Sequence, residues 1–335
     1  VKIQEDEVES FQLATPAQIR ELGKQDDFLH YHRIEGLLTM DIKKITIAGA
    51  GTMGYSMADI FARNGYEVTL WNHRQPTLDK ARTKISAGAA DKITYTTSMD
   101  AFRGRDLIVE SIVEDMEAKL AFYREMSPLA DPETIIATNT SGLSIKKLAA
   151  AVTGPDRFLG MHWFNPPTLI PLIEIIKNEK TRPDVAKTIY DLSLAIGKKP
   201  ALVEKDVPGF AANRIQLAVL REALALVRDG VVSVEGADAV MKYGLGFRWA
   251  CLGPLETVDF GGLDVFCHIS EYLMPDLEDS HEVPALLKEK VEAGDYGVKT
   301  GKGFYDYAGD KAREATAARD KKLQAVYDAL YGGKA

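Results

Sequence analysis

One of the chain's six histidines stands in the stretch MHWFNPPTLIPLIEII, residues 161–176, beside two aromatics and a proline pair, with Glu174 at the end of an apolar run. Histidine, with an unperturbed pKa of about 6.5, can accept and return a proton near neutral pH. A carboxylate bonded to the other ring nitrogen would fix the tautomer and stabilise the imidazolium. Glu174 lies twelve positions after His162, too far for one helical face. The two meet if FNPP is a bend and TLIPLIEII a strand folding back. A lone histidine next to Trp163 and Phe164 also reads as a satisfied core residue, and Glu174 alone as a surface charge capping a strand.

A second constellation is ITIAGAGTMG, which contains GxGxxG as Gly49, Gly51 and Gly54, with Thr52 and Met53 between the last two. It follows a strand pattern and opens a helical one. In that context the first glycine permits a tight turn, the second lets backbone N–H groups approach a pyrophosphate, and the third lets the helix pack close. The plain alternative is a glycine-rich turn with no ligand. NAD-binding versions carry an Asp or Glu about 20 residues on, at the end of the second strand, to hold the ribose hydroxyls. Here YEVTLW ends in Asn72, His73 and Arg74. A neutral Asn followed by a cation would not repel a 2′-phosphate, and Arg74 could pair with one. NADP is therefore expected to be accepted alongside NAD, unless His73 and Arg74 are simply solvated.

These residues need elements to hold them. From Asp41 the chain alternates strand and helix patterns: KKITIAGA, MGYSMADIFARNG, YEVTLW, PTLDKARTKISAG, KITYTT and RDLIVESIV, continuing through TIIATNT and DRFLGMHWF to PALVEKD. Alternation of that kind reads as βαβ units and a parallel sheet covered on both faces. After Pro208 the pattern turns helical, beginning with GFAANRIQLAVLREALALVRDG. The expected fold is α/β, a Rossmann-type dinucleotide-binding domain over residues 40–206 followed by an all-helical C-terminal domain over residues 207–335. Residues 1–39 are acidic, weakly patterned and unlike a secretory signal. They read as a peripheral appendage, or as residues ahead of a start at Met40.

Composition bounds the partners. At 335 residues, 46% hydrophobic and 27% charged, the chain reads as a globular protein of two domains. A formal net charge of −8 argues against nucleic acid as the main partner. No segment approaches the roughly 20 apolar residues of a membrane span. Cys251 and Cys267 suggest neither a disulfide framework nor a metal site, and a reducing, cytoplasmic setting fits.

The ordered set AGAGTMG, ESIVEDMEAK, ATNTSGLSI, GMHWFNPP with LIEII, KDVPGFAANR, GPLETVDFGGLD and GVKTGKGFYDY covers nearly everything from Met40 to Tyr307. It resembles the 3-hydroxyacyl-CoA dehydrogenase family, 3-hydroxybutyryl-CoA dehydrogenases included. The resemblance implies hydride transfer between NAD(P) and the C3 hydroxyl of a short-chain 3-hydroxyacyl-CoA, and a homodimer formed through the C-terminal domain. It places the catalytic histidine and its acidic partner on His162 and Glu174, with Ser141 and Asn213 orienting the substrate oxygen. It brings Glu114 and Lys119 toward the cofactor, and Asn139 of the same NTSG stretch is counted with them.

One departure bears on substrate. The family typically carries a long helical hairpin that helps clasp CoA between the second strand and the strand leading into DLIVES. Here only residues 75–104 fill that gap. Lys80, Arg82 and Lys84 could meet CoA phosphates, yet basic residues on an amphipathic helix are usually its wet face. A free 3-hydroxy acid, of the kind used by relatives acting on sugar acids or carnitine, is the alternative substrate. A non-catalytic, crystallin-like structural protein is the alternative of another class.

Overall fold

A computed structural model describes Ala14, residues 16–22 and residues 39–332. Of residues 1–39, only helix α1 (Pro16–Leu22), Ala14 and Thr39 fall within that range, so the reading of the N-terminal extension lies largely outside the described residues. By contacts the chain divides into two compact units, one ending at Ala211 and the other starting at Ala212.

The β-branched and apolar runs of the first unit become eight strands of one sheet. They are β1 (Lys44–Ala48), β2 (Glu67–Trp71), β3 (Ile93–Thr96), β4 (Leu107–Glu110), β5 (Ile135–Thr138), β6 (Phe158–Trp163), β7 (Leu172–Lys177) and β8 (Lys199–Val203), in the order β3-β2-β1-β4-β5-β6-β7-β8. Every pair is parallel except β6–β7. The order of the first six strands is that of a doubly wound dinucleotide-binding sheet, whose ligand crevice opens where the strand order reverses, between β1 and β4. Helices α2 (Thr52–Arg63), α3 (Gln75–Arg82), the single turn α4 (Ala87–Ala90), α5 (Met116–Met126), α6 (Ile145–Ala149) and α7 (Pro183–Ala195) join the strands.

Because both faces are covered, the central strands read as continuous apolar runs instead of alternating ones. Ile45, Ile47, Leu70, Val109 and Ile175 share one core with Met57 and Phe61 of α2. Ile108, Ile136 and Phe158 share the other with Phe122 and Tyr123 of α5 and with Phe210. Phe61 packs edge-on to Trp163, at 5.8 Å between centroids. It is fully buried, so truncating it to Ala would cost about 3–5 kcal/mol.

Between β2 and β4 there are only α3, α4, β3 and a 3-10 turn (Met99–Phe102), and no long helical hairpin. The segment is tied down locally. Asp59 of α2 accepts from the Ser86 N–H and hydroxyl, at 3.1 and 2.5 Å. Arg82 pairs with Asp91 at 3.1 Å and lies over the Tyr95 ring.

The second unit is helical: α8 (Ala212–Arg228), α9 (Val234–Val240) leading through a π-helical turn (Met241–Leu245) into α10 (Gly246–Trp249), then α11 (Pro254–Gly261), α12 (Leu263–Leu273), α13 (Ala285–Glu292) and α14 (Lys311–Tyr331). The stretch GVKTGKGFYDY forms isolated bridges, Gly297 to Lys302 and Lys302 to Asp306, and Tyr305 donates to Asp238 at 2.9 Å. Among the described residues no helix is long and apolar enough to cross a membrane.

Candidate active site

The bend expected at FNPP is present, and its consequence is register. β6 and β7 pair antiparallel with His162 directly opposite Glu174. Residues directly opposite on an antiparallel pair point to the same face of the sheet. Nδ1 of His162 lies 2.9 Å from Oε2 of Glu174, and the side chains are 5% and 1% exposed. The other carboxylate oxygen accepts the Ala211 N–H at 3.0 Å. With a carboxylate opposite it, Nδ1 carries the hydrogen and Nε2 is the nitrogen left to accept a proton.

Two aromatic rings pack against the imidazole. Phe164 lies 4.4 Å from the imidazole centroid and Phe210 5.8 Å. Phe210 is a non-glycine residue at φ +52°, directly after Gly209 at φ +78°. That conformation costs of order 1–3 kcal/mol for a bulky residue. It turns the phenyl ring back into the first unit, where it is 1% exposed, and burying a Phe side chain returns about 1.5–3 kcal/mol. Sequence reasoning missed Phe210 and Ala211 as site residues. The available signal was the PGF turn itself, a Gly followed by an aromatic in a stretch already singled out.

The glycine loop sits at the β1–β4 crevice. A Cβ on Gly49 would meet the Ser111 carbonyl oxygen at 2.3 Å, and one on Gly54 would meet the Gly49 carbonyl oxygen at 1.8 Å, so both are close-approach glycines. Gly51 differs. A Cβ there would meet nothing within 4 Å, and Gly51 caps α2 without any side-chain hydrogen bond. A bare glycine at an uncapped helix N-terminus leaves main-chain N–H groups and open space for a pyrophosphate, so these residues fit a dinucleotide. Thr52 and Met53 form the first turn of that helix.

At the end of β2, Asn72 is buried and its Oδ1 accepts the Arg74 N–H at 3.0 Å, which makes the turn into α3. His73 and Arg74 are exposed.

Glu114, Lys119, Asn139 and Ser141 are brought together. Glu114 Oε1 accepts from the Thr140 hydroxyl at 2.6 Å and the Ser141 N–H at 2.8 Å, and its Oε2 is 3.5 Å from the Lys119 ammonium. Asn139 accepts from the Trp163 N–H at 2.9 Å and donates to the Ser111 hydroxyl at 3.2 Å, joining the ends of β4 and β6. Lys119 is buried, and its main partner is Glu110, at 2.5 Å. Glu110 also accepts from Tyr123, Thr138 and the Ile112 N–H, each at 2.7 Å. Burial and the nearby Glu110 charge push the Tyr123 hydroxyl well above its usual range, so it stays a donor. Glu110 was not picked out from sequence. Its signal was an acid ending the continuous apolar run LIVE, where a buried charge needs a cation. Asn213 lies in α8 of the second unit and accepts from Gln216 at 3.1 Å.

Comparison with known proteins bears on this geometry. The model of the 3-hydroxyacyl-CoA dehydrogenase NAD binding domain matches residues 44–207, and that of the C-terminal domain matches residues 209–307. A relative from Mesorhizobium japonicum, 5-formyl-3-hydroxy-2-methylpyridine 4-carboxylate 5-dehydrogenase, is 37% identical over 306 residues, covering 87% of this chain and 99% of its own. A solved structure of a 5-formyl-3-hydroxy-2-methylpyridine 4-carboxylic acid 5-dehydrogenase, called an NAD+-dependent dismutase, superposes with a TM-score of 0.83 at 37% identity, over 88% of this chain and all of that one. The structure of (S)-3-hydroxybutyryl-CoA dehydrogenase from Ralstonia eutropha superposes with a TM-score of 0.65 at 33% identity, over 80% of this chain and all of that one. With both domain models matched in sequence order along a sheet that bears the dinucleotide loop, the chain belongs to the 3-hydroxyacyl-CoA dehydrogenase family and is an NAD-dependent oxidoreductase acting on hydroxyl groups.

Proposed function

We propose that this enzyme interconverts the hydroxyl and carbonyl forms of a small free carboxylic acid, with His162 as general acid/base and Glu174 as its orienter. The facing of His162 and Glu174 across β6 and β7 supports the chemistry. In the oxidation direction the hydroxyl proton passes to Nε2 of His162 as the carbon loses a hydride, and Glu174 stabilises the imidazolium that results. The hydride acceptor, or the donor in the reverse direction, would be supplied by bound NAD. Ser141 restricts the orientation of the reacting oxygen. Gly49, Gly51, Thr52, Met53 and Gly54 receive the pyrophosphate, and Glu114, Lys119 and Asn139 shape the nicotinamide side. Asn72 and Arg74 leave room for NADP.

The short connection between β2 and β4 carries the choice of a free acid. It holds an eight-residue helix and a one-turn helix in place of a hairpin, and Arg82, between Lys80 and Lys84, is engaged by Asp91 and Tyr95. The Mesorhizobium relative named for a pyridine carboxylate matches more of the chain than the CoA dehydrogenase does. An aldehyde hydrate presents the same H–C–O–H unit as an alcohol, so the same histidine would serve either. The second reading, a short-chain 3-hydroxyacyl-CoA, is favoured by the two matched domains.

A substrate panel with both cofactors separates them: free 3-hydroxybutyrate, L-gulonate and hydroxymethyl- and formyl-pyridine carboxylates against 3-hydroxybutyryl-CoA. We expect a free acid to exceed the thioester in kcat/KM by about a hundredfold or more. A comparable preference for the thioester would restore the CoA reading. A large preference for NAD over NADP would remove any role for Arg74 in binding a 2′-phosphate.

The helices of the second unit leave large apolar side chains exposed, Tyr243, Phe247, Leu255 and Phe260 among them, which supports a homodimer built on that unit. Two free cysteines fit a reducing cytoplasm.

A further inference from the structure

The loop 165–171 joins the strand of His162 to the strand of Glu174 and contains no charged residue. One charged side chain from elsewhere holds it. Lys198, in the turn between α7 and β8, is 6% exposed. Its ammonium donates to the carbonyl oxygens of Pro167 and, at 2.9 Å, of Ile170, and stands 5.4 Å above the Trp163 ring. The next residue continues the attachment, since the Lys199 N–H donates to the Pro171 carbonyl at 2.9 Å. Three carbonyls of one seven-residue loop are therefore held from residues 198 and 199.

We propose that Lys198 is a positioning residue of the active site, its ammonium holding the loop 165–171 as the fixed wall beside His162 against which substrate is received. A hydrophobic side chain of the same length would fill the space without desolvating a charge, but it could hold no carbonyl. Asn165 and Thr168 stay exposed on the held loop, while Phe164 at its root touches the imidazole. Burial, and then the nearby Arg63, lower the Lys198 pKa to about 8. Arg63 is itself paired with Asp59, and on α7 Lys187 and Asp191 pair with each other. A folded pKa below the unfolded one means that the stability penalty of the buried charge is complete below about pH 8 and fades toward pH 10.5. In the folded protein the ammonium, and with it the charge-assisted grip on the loop, is lost as pH rises through about 8, so activity falls where this part of stability begins to rise.

The inference rests on the His162 reading for where substrate binds. The two fail separately, because full turnover in His162→Gln would refute the base while leaving a Lys198 effect measurable. The experiment compares the full-length wild type with Lys198→Met and Lys198→Arg in the oxidation direction, at saturating NAD, on the best substrate of the panel. Lys198→Met should raise KM about tenfold or more with kcat changed by less than about threefold, and NAD affinity by fluorescence titration should be unchanged. Lys198→Arg, with its charge retained, should recover most of kcat/KM and move the alkaline fall of kcat/KM from near pH 8 upward by at least about one unit. A wild-type KM in Lys198→Met overturns the proposal. So does an equal loss in both variants accompanied by weakened NAD binding, which would mark a purely structural lysine. An alkaline limb that Lys198→Arg does not move overturns it as well, even if Lys198→Met fails to fold.

Discussion

His162 sits in an enclosure with one polar wall. Glu174 takes one ring nitrogen, while Phe164 and Phe210 stand against the ring. In such surroundings the electrostatic effect of a single carboxylate on the imidazolium is larger than in water. Glu174 is in turn held by the Ala211 N–H, so the orienter is itself oriented. Replacing His162 by Gln removes the proton acceptor but keeps the polar volume. We expect turnover to fall about a thousandfold, within the usual range for removing a general base, with NAD affinity nearly intact. Replacing Glu174 by Gln keeps the Ala211 contact through the amide oxygen but turns an amide NH2 toward Nδ1, which removes the charge and favours the wrong histidine tautomer, and should lower kcat by about a hundredfold or more. Single-turnover absorbance at the reduced nicotinamide band reads both, and normal rates in either variant would refute its role.

At the scale of elements, the β1–α2 turn separates two meanings of glycine. Gly54 allows helix and strand to approach, since an added Cβ would lie 1.8 Å from the Gly49 carbonyl oxygen. Gly51 leaves space for something else, since an added Cβ would meet nothing. Gly54→Ala should therefore destabilise the first unit by about 2–4 kcal/mol, through forced separation of α2 from its strand. Gly51→Ala, at φ −70°, should leave stability within about 0.5 kcal/mol while weakening NAD binding tenfold or more. Thermal unfolding with and without NAD distinguishes the pair, and undiminished NAD binding in Gly51→Ala would move the pyrophosphate elsewhere. Much of this was legible in the sequence. The strand runs, the glycine loop and the bend at FNPP are local patterns, and each specifies its element through side-chain period or backbone freedom. Phe210 and Ala211 were not legible as site residues, because Ala211 meets Glu174 across 37 positions and no periodicity encodes that return. Glu110 and Lys198 were hidden for another reason. Charged residue types are read as solvated unless their partners are known, and these partners come from other elements.

For the molecule as a whole, the two units differ in how they are stabilised. The first buries two apolar layers around its sheet. In the second, Leu224 and Ala225 are the only buried hydrophobic residues among those described, while Tyr243 and Leu255 are each 82% exposed and Phe260 78%. Ordering a residue costs about 1–2 kcal/mol of backbone entropy, so helices with so little burial do not pay for their own folding. A second copy of the same surface would cover these side chains by isologous pairing, which closes on itself and leaves no open end. Folding of the second unit would then be linked to association. Sedimentation should give twice the chain mass at micromolar concentration, and the melting temperature should rise with protein concentration, as mass action requires. Substituting Leu255 and Phe260 by Glu should shift the population toward monomer and lower the melting temperature. A monomer whose melting temperature is independent of concentration would show that the helical unit is stable without a partner, and the exposed apolar residues would then need another explanation.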